Sequence, residues 1–128
     1  MLGRMTGLAE VMRREVLTVA PEDTLGEAAA KMTDHGVGAV IVSDFGRMIG
    51  ILSERDIMRA VADRIHSSEA RVREWMTADP ITATEATSVE EAGRTMLEHG
   101  FRHLPVVDGE RAVGIVSLRD VAEAQLKS

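Results

Sequence analysis

Shifted by 64 residues, the chain overlays itself. Met12 to Ala60 aligns with Met76 to Ala124 without a gap, and "GILSERD" at Gly50 to Asp56 returns as "GIVSLRD" at Gly114 to Asp120. Thr18/Thr82, Glu27/Glu91, Met32/Met96, His35/His99, Gly36/Gly100, Asp44/Asp108 and Arg47/Arg111 also match. The chain is not of low complexity, so composition does not account for the agreement, and an internal duplication does. A chain of 128 residues buries a real core, whereas half of it is marginal alone. Each copy is therefore expected to bury its open face against the other. The expected boundaries are residues 7–62 for the first copy, 63–70 for a polar linker and 71–127 for the second copy.

Each copy carries the same local signals. A short extended piece comes first, "VLTV" at Val16 and "PITA" at Pro80. Thr24 with Glu27, and Ser88 with Glu91, fit the capping box, in which hydroxyl and carboxylate each accept from the other residue's backbone N–H. They open helices predicted over Leu25–His35 and Val89–His99, whose apolar residues recur at helical spacing. Gly36 and Gly100 stand where a helix takes a left-handed stop. Two strands follow, "AVIVS" then "MIGILS", and "HLPVV" then "AVGIVS", joined by turns at "DFGR" and "DGER". A second helix begins at Glu54 and at Leu118. Trp75 and Met76 echo Val11 and Met12, so a short lead-in helix, near Val72–Met76 in the second copy, is expected before each copy. The unit is β-α-β-β-α, a mixed α/β (α+β) fold.

Several functions lack their residues. There is no cysteine, hence no disulfide, thiolate metal site or cysteine nucleophile. The longest apolar run, "AVIV", is far short of a membrane span. The N-terminal stretch lacks the apolar segment of a secretory signal. A cytoplasmic protein is expected. The net charge of −6 repels phosphate backbones and argues against nucleic acid as the main partner. No nucleophile elbow or phosphate-loop motif is present, so the chain reads as non-enzymatic. His99 and His103 are four apart, but Gly100 ends the helix between them, and two histidines without a thiolate are a weak metal signal. No metal is expected. His35 and His99 suit helix C-termini by charge.

The repeated phrase has two readings. Serine at an N-cap with an acid three residues on is itself a capping box. A helix N-terminus is also a ready anion site, the serine hydroxyl adds a donor, and a carboxylate one turn on accepts from two neighbouring hydroxyls, as it does for ribose in dinucleotide folds. Gly50 and Gly114 leave room for something to approach the strand backbone. Arg55 and Arg119 lie on first helical turns, where a cation is mildly unfavourable. That points to an anionic partner, or to ion pairs with Asp44 and Asp108.

The duplication, the element order, "SERDIMRAV" at Ser53–Val61 and "RHLPVVD" at Arg102–Asp108 resemble a CBS-domain pair, the Bateman module, over nearly the whole chain. The resemblance implies a stand-alone regulatory pair, packed sheet to sheet with pseudo-twofold symmetry. It implies that an adenosyl ligand (AMP, ADP, ATP or S-adenosylmethionine) is sensed in the clefts between the repeats. On that pattern Asp56 and Asp120 hold ribose and Ser53 and Ser117 the phosphate. The backbone at Thr18, Val19, Thr82 and Ala83 lines the base. Arg102 and His103, followed by Leu104 and Pro105, bring positive charge, whereas the first copy has Gly38 and Ala39 at the positions of Arg102 and His103. The two clefts are therefore expected to differ, the one receiving Arg102 and His103 binding phosphate better. The resemblance also implies a homodimer. A dimerisation scaffold with empty clefts is the alternative.

Overall fold

The computed structural model of the chain describes residues 6–66 and 68–127. Two compact units make it up. One is Leu17–Pro80; the other joins the residues before Leu17 to those after Pro80. Residues 6–16 thus belong with the second copy.

In the unit Leu17–Pro80, a four-stranded sheet runs β1 (Thr18–Val19), β2 (Ala39–Asp44), β3 (Arg47–Ser53), β4 (Thr77–Ala78), with β1 parallel to β2 and the remaining pairs antiparallel. Helices α1 (Leu25–His35), α2 (Glu54–Ala62) and α3 (Val72–Trp75) accompany it. The first two begin and α1 ends where the sequence predicts. The core is Val19, Leu25, Ala28, Met32, Val40, Val42, Leu52, Ala60, Ala70 and Val72. Ala70, the last residue of the expected linker, is a core residue whose carbonyl accepts from Leu25 N at 3.0 Å.

The other unit repeats the plan. Helix α4 (Val89–His99), strands β5 (His103–Asp108) and β6 (Arg111–Ser117) and helix α5 (Leu118–Lys127) take the places of α1, β2, β3 and α2. Ala83 bridges Val106 in parallel, as β1 pairs with β2, and Arg13 bridges Ile115 antiparallel, as β4 pairs with β3. A 3₁₀ turn at Leu8–Glu10 is the counterpart of α3. Leu8 N donates to Thr87 O at 2.9 Å, just as Val72 N donates to Asp23 O at 2.9 Å. The two lead-ins expected from the sequence exist, but each packs against the opposite copy.

Local chemistry explains the element ends. The Thr24–Glu27 box closes in both directions, at 2.9 and 3.0 Å. At Ser88 only the serine half of the predicted box forms, Ser88 Oγ accepting from Glu91 N at 3.1 Å. Gly36 (φ 64°) and Gly100 (φ 74°) take the left-handed C-cap conformation. His35 and His99 place Nδ1 2.9 Å from the last-turn carbonyls of Lys31 and Thr95. The first hairpin turns through two successive positive φ values, at Phe45 and Gly46, and the second through Gly109. These are the two-residue turns whose twist suits the flanking strands.

The Glu27 carboxyl lies below its usual value of 4.5, chiefly because the Thr24 N–H hydrogen bonds the charged form, with the Thr24 hydroxyl adding to it. A lowered folded-state value stabilises the protein above pH 4.5, and that contribution disappears as pH falls through the lowered value. Glu27→Ala is therefore expected to lower the melting temperature at pH 7 and to lose much of that deficit near pH 3, as measured by thermal melts across pH.

Candidate functional site

The repeated phrase lies where an antiparallel hairpin passes into a helix. Ala39 pairs with Ser53 and His103 with Ser117, so the start of the first hairpin strand lies beside the serine that ends the second. The chain is tied there by the first helical amides: Glu54 N donates to Gly38 O at 2.9 Å and Leu118 N to Arg102 O at 2.8 Å. Gly38 and Ala39 in one unit, and Arg102 and His103 in the other, are thereby held against the helix N-termini. Thr18 is close by, paired with Ile41 two residues beyond Ala39, and its carbonyl accepts from Lys31 Nζ at 2.6 Å. Ala83 spends both backbone groups on β5, donating to Pro105 O at 2.9 Å and accepting from Val107 N at 2.8 Å. The side chains of Val19, Ala39, Ala83 and Leu104 are buried, and Pro105 is buried with them, while Thr18, Thr82 and Arg102 are exposed.

Each serine and aspartate closes a capping box. Asp56 Oδ2 accepts from Ser53 N at 2.8 Å, and Asp56 N donates to Ser53 Oγ at 3.3 Å. Asp120 Oδ2 accepts from Ser117 N at 2.9 Å, and Asp120 N donates to Ser117 Oγ at 3.0 Å. Beyond this shared frame the copies part. Asp56 is the buried charged residue among the described residues, 6% exposed. It also accepts from the Ser53 hydroxyl at 3.0 Å and pairs through Oδ1 with Arg59. Asp120 is half-buried, and its Oδ1 carries no hydrogen bond among the described residues. Of the two readings of Arg119, an anionic partner or an ion pair with Asp108, the second does not form: Arg119 pairs with Glu123 at 3.1 Å, because residues four apart on a helix share a face.

The glycines of the phrase make room for the chain itself. An added Cβ at Gly50 would lie 2.8 Å from both Met76 Sδ and Thr77 O; at Gly114 it would lie 2.7 Å from Met12 Sδ and 3.0 Å from Arg13 O. What approaches the strand is thus the lead-in segment of the opposite copy. Arg59 is the residue that sequence reasoning passed over. Its signal is in the sequence, since the position 64 residues on holds Glu123, a charge reversal next to a repeated phrase.

Among the described residues no three His, Asp or Glu side chains form a group able to hold a metal ion, and no helix is long and apolar enough to cross a membrane.

The family model for the CBS domain matches residues 8–63 and again 72–127. The CBS domain-containing protein YhcV of Bacillus subtilis is 35% identical over 124 residues, covering 97% of this chain and 89% of that protein. A protein with CBS domains from Burkholderia ambifaria superposes with a TM-score of 0.91 at 32% identity, covering 96% of each chain. The CBS domain pair of protein MJ0100, solved in complex with 5′-methylthioadenosine and S-adenosyl-L-methionine, superposes with a TM-score of 0.90 at 26% identity, over 97% of this chain and 98% of that one.

Proposed function

Since the chain belongs to the CBS-domain family, as a pair of CBS domains, we propose that it is a non-enzymatic regulatory module that binds an adenosyl ligand at its strand-to-helix sites. The observation that carries the reading is the state of the second repeat's phrase. Asp120 Oδ1 is open and half-buried at a helix start, and Ser117 is not engaged as a donor to Asp120 as Ser53 is to Asp56. A carboxylate with a spare oxygen accepts from a ribose diol. The helix N–H groups and the serine hydroxyl suit the phosphate or sulfonium-linked group beyond it. Arg102 adds a positive charge next to the strand that pairs with Ser117, and His103 on that strand adds ring nitrogens, where the first repeat has Gly38 and Ala39. The ligand bound by MJ0100 supports the adenosyl class. AMP, ADP, ATP and S-adenosylmethionine are the candidates.

Binding shifts a conformational equilibrium by its differential affinity for the two states, and a partner protein reads the shift. The same reading makes the protein a homodimer, with exposed Met58 and Val61 on α2 and Leu126 on α5 available for burial. It also makes the protein cytoplasmic, where such ligands are abundant.

Thermal melting of the full chain with AMP, ADP, ATP and S-adenosylmethionine tests the proposal. A ligand at a hundred times its Kd stabilises by about 2.7 kcal/mol, a rise on the order of 10 °C for a chain of this size. Asp120→Asn keeps an acceptor for Ser117 N but removes the charge, and is expected to reduce the shift to what the first repeat's site supplies while leaving the unliganded melt within a few degrees. The capping boxes are complete without any ligand, which gives the scaffold reading its physical basis. No shift with any of the four at millimolar concentration would establish that reading instead.

A further inference from the structure

The two copies of the phrase agree at the serine, the arginine and the aspartate, and reverse charge one turn later, Arg59 against Glu123. The reversal changes what each aspartate has left to offer. An ionised carboxylate has about four lone-pair sites. At Asp56, Oδ2 accepts from Ser53 N at 2.8 Å and from Ser53 Oγ at 3.0 Å, and Oδ1 accepts from Arg59 Nη2. One site remains. At Asp120 only Oδ2 is engaged, by Ser117 N at 2.9 Å, and Glu123 is turned to Arg119 at 3.1 Å. Three sites remain.

A vicinal diol donates two hydrogen bonds. It fits Asp120 as the side chain stands, and fits Asp56 only when Arg59 lets go. The Asp56 side chain is 8% exposed, so stripping its cation leaves a poorly solvated charge. Arg59 is 60% exposed on a long stem and is free to move. Helical side chains lean toward the N-terminus, which places this guanidinium over the first turn of α2, where helix N–H groups favour phosphate. A displaced Arg59 therefore finds a new charge-assisted partner when the ligand carries an anion. A neutral nucleoside brings the diol but nothing for the arginine.

We propose that Arg59 is a latch on the first repeat's half-site: it occupies the ribose acceptor of Asp56 and releases it to ligands that supply an anion of their own, so this half-site prefers nucleotides to nucleosides. The proposal rests on the adenosyl reading above and adds the charge requirement. It makes the two half-sites unequal through the acceptor, independently of Arg102 and His103.

The test is calorimetric titration of AMP and adenosine into the full chain carrying Asp120→Asn, with Arg59 intact and with Arg59→Met. Circular dichroism checks that each variant is folded. With Arg59 intact, AMP is expected to bind at least about tenfold more tightly than adenosine, a difference of about 1.4 kcal/mol. In Arg59→Met, adenosine tightens and AMP weakens until the two agree within about threefold. Glu123→Arg in an Asp56→Asn background is expected to weaken adenosine and so widen the preference for AMP in the second repeat. An Arg59→Met variant that weakens AMP but leaves adenosine unchanged makes Arg59 a phosphate contact and overturns the latch. So does an unchanged preference. Failure of the parent protein and of every variant to bind either ligand overturns the adenosyl reading, and the latch with it.

Discussion

Leu8→Ala is expected to destabilise the protein by about 2–5 kcal/mol, lowering the melting temperature on the order of 10 °C. The damage is expected in the second repeat, although Leu8 precedes the first. Leu8 is 0% exposed and packs in the core of Ala83, Val89, Met96, Leu104, Val106, Val116 and Val121. Its amide donates to Thr87 O. Truncation leaves a cavity bounded by these residues, with little room to collapse. Hydrogen exchange localises the effect. Amides of the second repeat that are held by the sheet, such as Val107 and Ile115, should lose protection first, because local opening follows the lost contacts. If protection drops instead within Leu17–Pro80, the crossed packing of the lead-ins is wrong.

The second large effect is at the glycines of the repeated phrase. Gly50→Ala is expected to cost about 1–3 kcal/mol by overpacking, measured by urea unfolding. Its new methyl would meet Thr77 O, a backbone atom of β4, at 2.8 Å as well as Met76 Sδ at 2.8 Å. Shortening Met76 removes one collision and leaves the other, so Gly50→Ala with Met76→Ala should stay destabilised. At Gly114 the tightest contacts are the flexible Met12 side chain, at 2.7 Å to Sδ, while Arg13 O is 3.0 Å away. Met12→Ala should therefore relieve much of the overpacking in Gly114→Ala. A double-mutant cycle separates this from the hole that Met12→Ala itself opens. Contacting pairs couple by about 0.5–3 kcal/mol, and the 12/114 coupling should exceed the 76/50 coupling. Equal couplings would mean that β4 yields as easily as a methionine.

These two results mark how far the sequence could be read. Helix starts at Leu25, Glu54, Val89 and Leu118, the stops at Gly36 and Gly100 and the two hairpins were all legible, because each is set by residues within a turn or a strand of one another. The predicted box at Ser88 formed only in part, since the Glu91 side chain on the exposed first turn is not bound to return to the N-cap. Gly50 and Gly114 are legible in the sequence but their neighbours are not. Room beside a strand says that something approaches, and only the folded chain shows that it is Met76 and Thr77, or Met12 and Arg13. At the candidate site, Ser53, Asp56, Ser117 and Asp120 stood out by recurrence. The use of their lone pairs did not, because recurrence directs attention to what two copies share, and Arg59 and Glu123 are where they differ.

By itself the sequence determined that one β-α-β-β-α unit is present twice and that each copy carries a second helix started by a serine with an aspartate three residues on. Periodicity, caps and turns act over a few residues, and a gapless repeat writes them out two times. The tertiary structure alone decided that each lead-in completes the other copy's core and that Asp56 is closed by its arginine while Asp120 is left open. Those outcomes depend on burial and on which hydrogen-bonding sites are already taken, and both are settled by residues that meet only when the chain has folded.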